Sequence, residues 1–327
     1  MNQTTLAYEN LIERFVQWAQ NCPDIRAAAV IGSRARIDKP ADEWADLDIV
    51  VIVTNPKRYL AREDWLQNIG NPWITFLERT ATGGGMERRA LFEGGLDVDF
   101  AIVSKRDIRQ LMHFLRINKR FPQLLRLFPK EKVRQIIREI TDFSDIISHG
   151  IRVLLDKDGL ISQSTLFSTR PPSPRPPTPA EFLEVINDFW YHAVWTAKHL
   201  RRGELWWAKG SCDSKMKWGG VLPMIEWHAR ATHGRDYETW HRGHFLEQWA
   251  DHRAVEGLRK AFAHYDVDDV QQALLATMDL FRWLARETAE RLGYVYPTFA
   301  DERATEMVKT LLSEKIQPIS YPTYKKP

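Results

Sequence analysis

The chain has 327 residues, 44% of them hydrophobic and 27% charged, with a formal net charge of +3. That is length enough for two domains, each with a sizeable core, in the composition of an ordinary globular protein. The near-neutral charge gives no reason to expect a nucleic-acid-binding surface, and no apolar run approaches the roughly 20 residues of a membrane span.

The first residues, Met1-Asn2-Gln3-Thr4-Thr5, lack the basic stretch and apolar run of a signal peptide. Cys22 and Cys212 lie far apart with no metal-like spacing, as expected of reduced thiols in a cytoplasmic protein. Leu11 to Trp18 has the apolar spacing of an amphipathic helix closed by Pro23, and Ala27 to Ile31 is a strand ending at Gly32-Ser33. Leu47 to Val53, Trp73 to Leu77, Ala90 to Glu93 and Leu96 to Val103 read as further strands, with Gly83-Gly84-Gly85 as a hairpin turn. A helix is expected from Asp107. The segment 171–179, five prolines among its first seven residues, forbids helix and sheet interior and reads as an extended linker.

Beyond it the pattern is helical: Ala180 to Leu200, Val221 to Ala231, Val255 to Ala263, and Val270 to Leu292 with Gly293 as its terminating glycine. The expected architecture is therefore α/β (α+β): a mixed-sheet domain over 1–170, the linker 171–179, a helical bundle over 180–310 and a tail over 311–327.

Chemistry concentrates in Val30-Ile31-Gly32-Ser33-Arg34-Ala35 and, after a short gap, Asp46-Leu47-Asp48-Ile49-Val50-Val51. Alternate strand residues share a face, so Asp46 and Asp48 point one way while Leu47, Ile49 and Val51 bury on the other. Two adjacent carboxylates repel and need a compensating cation or proton; Mg²⁺ suits oxygen ligands together with substrate phosphates. The same pattern recurs in Asp97-Val98-Asp99-Phe100. If that strand neighbours the first, three carboxylates meet at one sheet edge, an arrangement suited to metal-assisted phosphoryl or nucleotidyl transfer. The Gly32-Ser33 turn offers backbone N–H groups and a hydroxyl to the outer phosphates of a nucleotide. A lone D-x-D or a lone Gly-Ser says little, and the ordered combination carries the reading.

On Gly32-Ser33-Arg34-Ala35, Asp42-Glu43-Trp44-Ala45-Asp46-Leu47-Asp48-Ile49, Asp64-Trp65-Leu66 with Gly70-Asn71, and Val98-Asp99, the chain resembles the aminoglycoside 6-adenylyltransferase (streptomycin adenylyltransferase) family. That family belongs to the polymerase-β-like nucleotidyltransferase superfamily. Asn187-Asp188-Phe189-Trp190, Met224-Ile225-Glu226-Trp227 and Glu290-Arg291-Leu292-Gly293-Tyr294-Val295-Tyr296-Pro297 extend the likeness, which runs from about residue 8 to 310. The resemblance implies an N-terminal nucleotidyltransferase domain, a C-terminal helical domain, and AMP transfer from Mg-ATP to an aminoglycoside hydroxyl with release of pyrophosphate. It also implies that Asp46, Asp48 and Asp99 are catalytic and hold Mg²⁺, Asp99 being in addition a candidate general base. Gly32, Ser33 and Arg34 become the candidate ATP-binding residues, with Lys198 reaching the triphosphate from the second domain. Residues 109–147 look like an insertion relative to shorter members.

Thirteen tryptophans is an unusual number, and nine of them follow residue 180. Aromatic walls suit a cationic sugar through stacking and cation–π contacts, although helix core is the commoner use of each ring. Trp190, with the acids Asp188 and Glu226, is accordingly the candidate set for binding the aminoglycoside. His241 and His244 lack the further ligands of a zinc site. A lincosamide, another metabolite, or a protein or nucleic-acid partner remains as an alternative acceptor, and oligomeric state is not legible.

Overall fold

A computed structural model describes residues 3–36, 41–80, 85–120, 150–162 and 175–313, with five single positions between residues 121 and 149. Gly83 and Gly84, most of the insertion expected at 109–147, residues 171–174 and everything after Ser313 lie outside them. The chain forms two compact units, Met1–Pro172 and Ser173–Pro327.

The first unit is built on one mixed sheet. Its strands are β1 (Ile25–Ile31), β2 (Leu47–Val53), β3 (Pro72–Arg79), β4 (Met86–Phe92), β5 (Leu96–Ser104) and β6 (Arg152–Asp156), in the order β3-β4-β5-β2-β1-β6. Only β2 and β5 run parallel; every other pair is antiparallel. Strand alternation sorts the central side chains onto two buried faces. Leu47, Ile49, Val51 and Val53 pack beneath helix α1 (Gln3–Gln20), whose Tyr8, Leu11, Ile12, Phe15 and Ala19 recur at helical spacing. Helix α2 (Pro56–Ala61) and the turn Asp64–Asn68 complete this layer with Tyr59 and Trp65, the latter stacked on Trp18 at 5.4 Å. Val50 and Ile52 face the other way, with Ala27, Ala29 and Ile108 of helix α3 (Lys105–Arg120). Asp48 shares this second face at the mouth of the strand, where the apolar cover stops.

The second unit is helical. Helix α4 (Pro179–Arg201) begins inside the segment expected as linker. Thr178 accepts from the Glu181 amide while Glu181 caps the Thr178 amide, and Pro179 takes the first helical position, where a missing N–H costs nothing. Helix α5 (Leu205–Gly210) leads through π-helical turns into α6 (Leu222–His233), followed by α7 (Leu246–Trp249) and α8 (His252–Ala261). Helix α9 (Val267–Leu292) runs from an Asp266 cap to Gly293, which adopts the left-handed conformation at φ 70°. Helix α10 (Thr298–Ser313) continues past residue 310, where a tail was expected to begin. Its buried Asp301 is held by Arg282 Nε at 3.0 and 2.9 Å, which satisfies a charge in the core. Among the described residues, no helix is long and apolar enough to cross a membrane.

Candidate active site

The edge of the sheet at the mouth of β2 is assembled by register. Asp48 pairs with Asp99 on β5 and with Ile31 on β1, and Arg89 on β4 pairs with Asp99. One row therefore crosses four strands: Ile31, Asp48, Asp99, Arg89. Carboxylate oxygens of Asp46, Asp48 and Asp99 all lie within 4.8 Å of one another. Asp97 also belongs to this face but stays exposed and outside the trio, its amide donating to the Tyr8 hydroxyl at 3.1 Å.

Beside the trio, β1 breaks into a single 3-10 turn, Gly32–Ala35. Gly32 sits at φ 66°, and a side chain there would collide with the Asp48 carboxylate, so only glycine lets the turn approach so closely. The next residue presents a buried Ser33 hydroxyl with no hydrogen-bond partner among the described residues. Such a group carries a desolvation cost unless a ligand satisfies it. Arg34 is committed elsewhere. Its Nε donates to the carbonyls of Ala45 and Asp46 at 3.0 and 3.1 Å, and its guanidinium lies over the Tyr8 ring at 3.6 Å. Arg34 thereby clamps the segment that presents Asp46 through its Nε.

Electrostatics marks the trio as short of positive charge. Burial pushes the Asp48 carboxyl up to about 8, helped by Asp46, Asp99 and Glu87 and opposed by Arg89. Asp99 is also raised by burial, against the pull of Arg89, whose Nε reaches both of its oxygens at 2.9 Å. Arg89 also bridges to Glu78 at 3.2 Å and Glu87 at 3.5 Å. Burial lifts Glu87 to about 7, with Asp99 adding to the effect. One guanidinium is shared among three further acids, and among the described residues neither Asp46 nor Asp48 has an ion pair of its own. An all-oxygen donor set of this kind fits a hard divalent cation. Sequence reasoning missed Arg89, Glu87 and Glu78. Their alternation along β4 and β3 was visible, but not which strand lies beside β5.

Asp188 and Lys198 both belong to α4 but are ten residues, about 15 Å, apart along its axis. Lys198 is exposed. Asp188 meets Lys215 Nζ at 3.0 Å and His192 Nδ1 at 3.3 Å. Together with Ala180, Leu183, Glu184, Asn187 and Tyr191 it lines a cavity of about 570 Å³. Glu226 on α6 is raised to about 6 by burial, with Arg230 opposing. Trp190 is corrected to a core residue: it is only 3% exposed, packed edge-on to Phe189 at 5.3 Å, with the Arg282 guanidinium 5.1 Å from its ring. Its ring has no face left for a ligand. Trp206, Trp207 and Trp218 are the exposed tryptophans among the described residues of the helical unit.

The chain is similar to an aminoglycoside 6-adenylyltransferase of Bacillus subtilis (strain 168), 23% identical over 304 residues that span 91% of this chain and 95% of that protein. It is also similar to an aminoglycoside 6-adenylyltransferase of Staphylococcus aureus, 21% identical over 89% and 92% of the two chains. A crystal structure of a Bacillus subtilis aminoglycoside 6-adenyltransferase aligns over 93% of this chain and 98% of its own, with 19% identity and a TM-score of 0.41. The profile of the family described as Streptomycin adenylyltransferase matches residues 6–311, through both units. The chain belongs to that family and is a nucleotidyltransferase.

Proposed function

We propose that the protein transfers AMP from Mg-ATP to a hydroxyl of an aminoglycoside, of the streptomycin type, releasing pyrophosphate. The observation that carries this reading is the trio Asp46, Asp48 and Asp99 set against the Gly32–Ala35 turn with its unsatisfied Ser33 hydroxyl. Asp46, Asp48 and Asp99 would hold Mg²⁺, which when bound supplies positive charge to the triphosphate and to the phosphorus under attack. The residues of the chain do the rest. Ser33 Oγ donates to an outer phosphate oxygen. Gly32 lets the backbone come close enough for that contact. Arg34 fixes the Ala45–Asp46 backbone and with it the aim of the Asp46 carboxylate.

The acceptor oxygen attacks the α-phosphorus and the bond to pyrophosphate breaks in line. The proton of the attacking hydroxyl passes to the Asp99 carboxylate, both oxygens of which Arg89 Nε holds. Arg89 keeps that carboxylate oriented throughout. The cavity on α4 offers the carboxylates of Glu184 and of Asp188, the latter also paired with Lys215, to the ammonium or guanidinium groups of an aminoglycoside.

The test is pyrophosphate release by the purified protein with each nucleoside triphosphate against a panel of aminoglycosides, with a lincosamide as comparison. ATP with a streptomycin-type acceptor is the expected productive pair. Turnover with the lincosamide alone would move the acceptor assignment and leave the nucleotidyl chemistry standing.

A further inference from the structure

Strand β3 is the outermost strand of its sheet, and its open side is unlike the edges that monomeric proteins usually expose. Trp73 is 58% exposed, Ile74 57%, Phe76 49% and Leu77 42%, so apolar side chains stand in solvent on both faces. The usual safeguards are few. Glu78 and Arg79 sit only at the far end, and the register shift between Pro72 and Ile74 leaves Ile74 to Arg79 regular. Among the described residues, no strand pairs with this edge.

The direction of its amides follows from the ladder. Thr80 donates to the Gly85 carbonyl across the β3–β4 hairpin. No register shift intervenes between Thr80 and Ile74, so alternation turns the amides of Phe76 and Glu78 toward β4. The N–H and C=O groups of Thr75, Leu77 and Arg79 are turned outward, free to pair with another strand.

The segment is also its own complement. Trp73-Ile74-Thr75-Phe76-Leu77 is symmetric in character about Thr75, two large apolar residues on each side. In an antiparallel pair with a second copy, a two-fold axis at Thr75 sets Trp73 against the partner's Leu77 and Ile74 against the partner's Phe76. Glu78 then faces the partner's Pro72 and Arg79 faces the partner's Asn71, so no like charges meet. The two Thr75 residues exchange both of their outward hydrogen bonds on the axis. Such self-complementarity is what an isologous interface requires. From this we infer that β3 is a homodimerisation strand, pairing with β3 of a second copy to continue the sheet across the two-fold axis.

The register makes the inference testable. Hydrogen-bonded residues opposite each other in an antiparallel pair have Cα atoms about 5.5 Å apart, within disulfide range. Thr75→Cys, in a Cys22→Ser background, is therefore expected to cross-link two chains under mild oxidation. Arg79→Cys, about 26 Å from its own copy in this register, is expected not to. Leu77→Lys places a charge on an already exposed position and is expected to weaken self-association by about tenfold or more in sedimentation velocity, with unchanged circular dichroism. A two-chain mass with this pattern supports the assignment. A single-chain mass at every concentration, without cross-linking of Thr75→Cys, overturns it. A dimer that survives Leu77→Lys and leaves Thr75→Cys uncross-linked also overturns it, since the copies then meet elsewhere.

Discussion

Asp48 is a carboxylate at the mouth of a buried strand, flanked by Asp46 and Asp99. Its carboxyl is pushed up to about 8, so between about pH 4 and pH 8 the folded chain holds a proton that the unfolded chain has released. Stability without metal is therefore greatest at the acid end of that window and falls as pH rises through about 8. Glu87, raised to about 7, adds to the same slope. Thermal unfolding across this range should show the decline. Mg²⁺ should raise the melting temperature more at about pH 8.5 than at about pH 6, because protons compete for the same oxygens. Asp48→Asn removes the repulsion and is expected to melt higher than wild type at the alkaline end while losing transfer. An equal or lower melting temperature for the variant there would contradict this account. Ser33→Ala asks less of the fold. It should cost productive ATP use about 1.5–3 kcal/mol, the worth of one hydrogen bond to a charged group, read as a change in kcat/KM for ATP. No change would mean that the hydroxyl does not meet phosphate.

At the level of elements, what could be read from the sequence was what depends on one strand or one helix alone. The alternation of Asp46 and Asp48 against Leu47, Ile49 and Val51 needs only the pleat, and the positive φ of Gly32 is a property glycine itself advertises. The choice of Asp99 over Asp97 needed a neighbour: the register sets Asp99 directly beside Asp48, while Asp97 lies one step further out. Arg89 was out of reach because its meaning depends on β4 lying beside β5, which no local pattern reveals. Short β6 and helix α10 were missed for want of a strong apolar period, and Pro179 was taken as linker although it opens a helix. Trp190 went wrong in a physical way. A large aromatic at helical spacing is core by default, and here Phe189 and Phe281 surround it. Trp190→Ala is accordingly expected to destabilise the helical unit by about 3–5 kcal/mol in denaturant unfolding. A variant of wild-type stability with a weakened acceptor KM would restore the binding role.

Across the whole molecule, the two groups of acids fall in different units of the chain. The metal-fitting trio and the phosphate turn belong to the sheet unit, while the cavity lined by Glu184 and Asp188 belongs to the helical unit. If that cavity receives the acceptor, Glu184→Gln and Asp188→Asn should each raise the aminoglycoside KM by about tenfold while leaving the KM for ATP nearly unchanged. A parallel change in both constants would point instead to a loss of folding or of the nucleotide site.

The central claim is that the Asp46–Asp48–Asp99 edge carries adenylyl transfer. It is tested most directly by mass spectrometry of a streptomycin-type aminoglycoside incubated with Mg-ATP and either wild type or Asp48→Asn. The expected result is an acceptor heavier by one adenylyl group with wild type, dependent on Mg²⁺, and no modified acceptor with a folded Asp48→Asn. Adenylylated product from Asp48→Asn at the wild-type rate would contradict it.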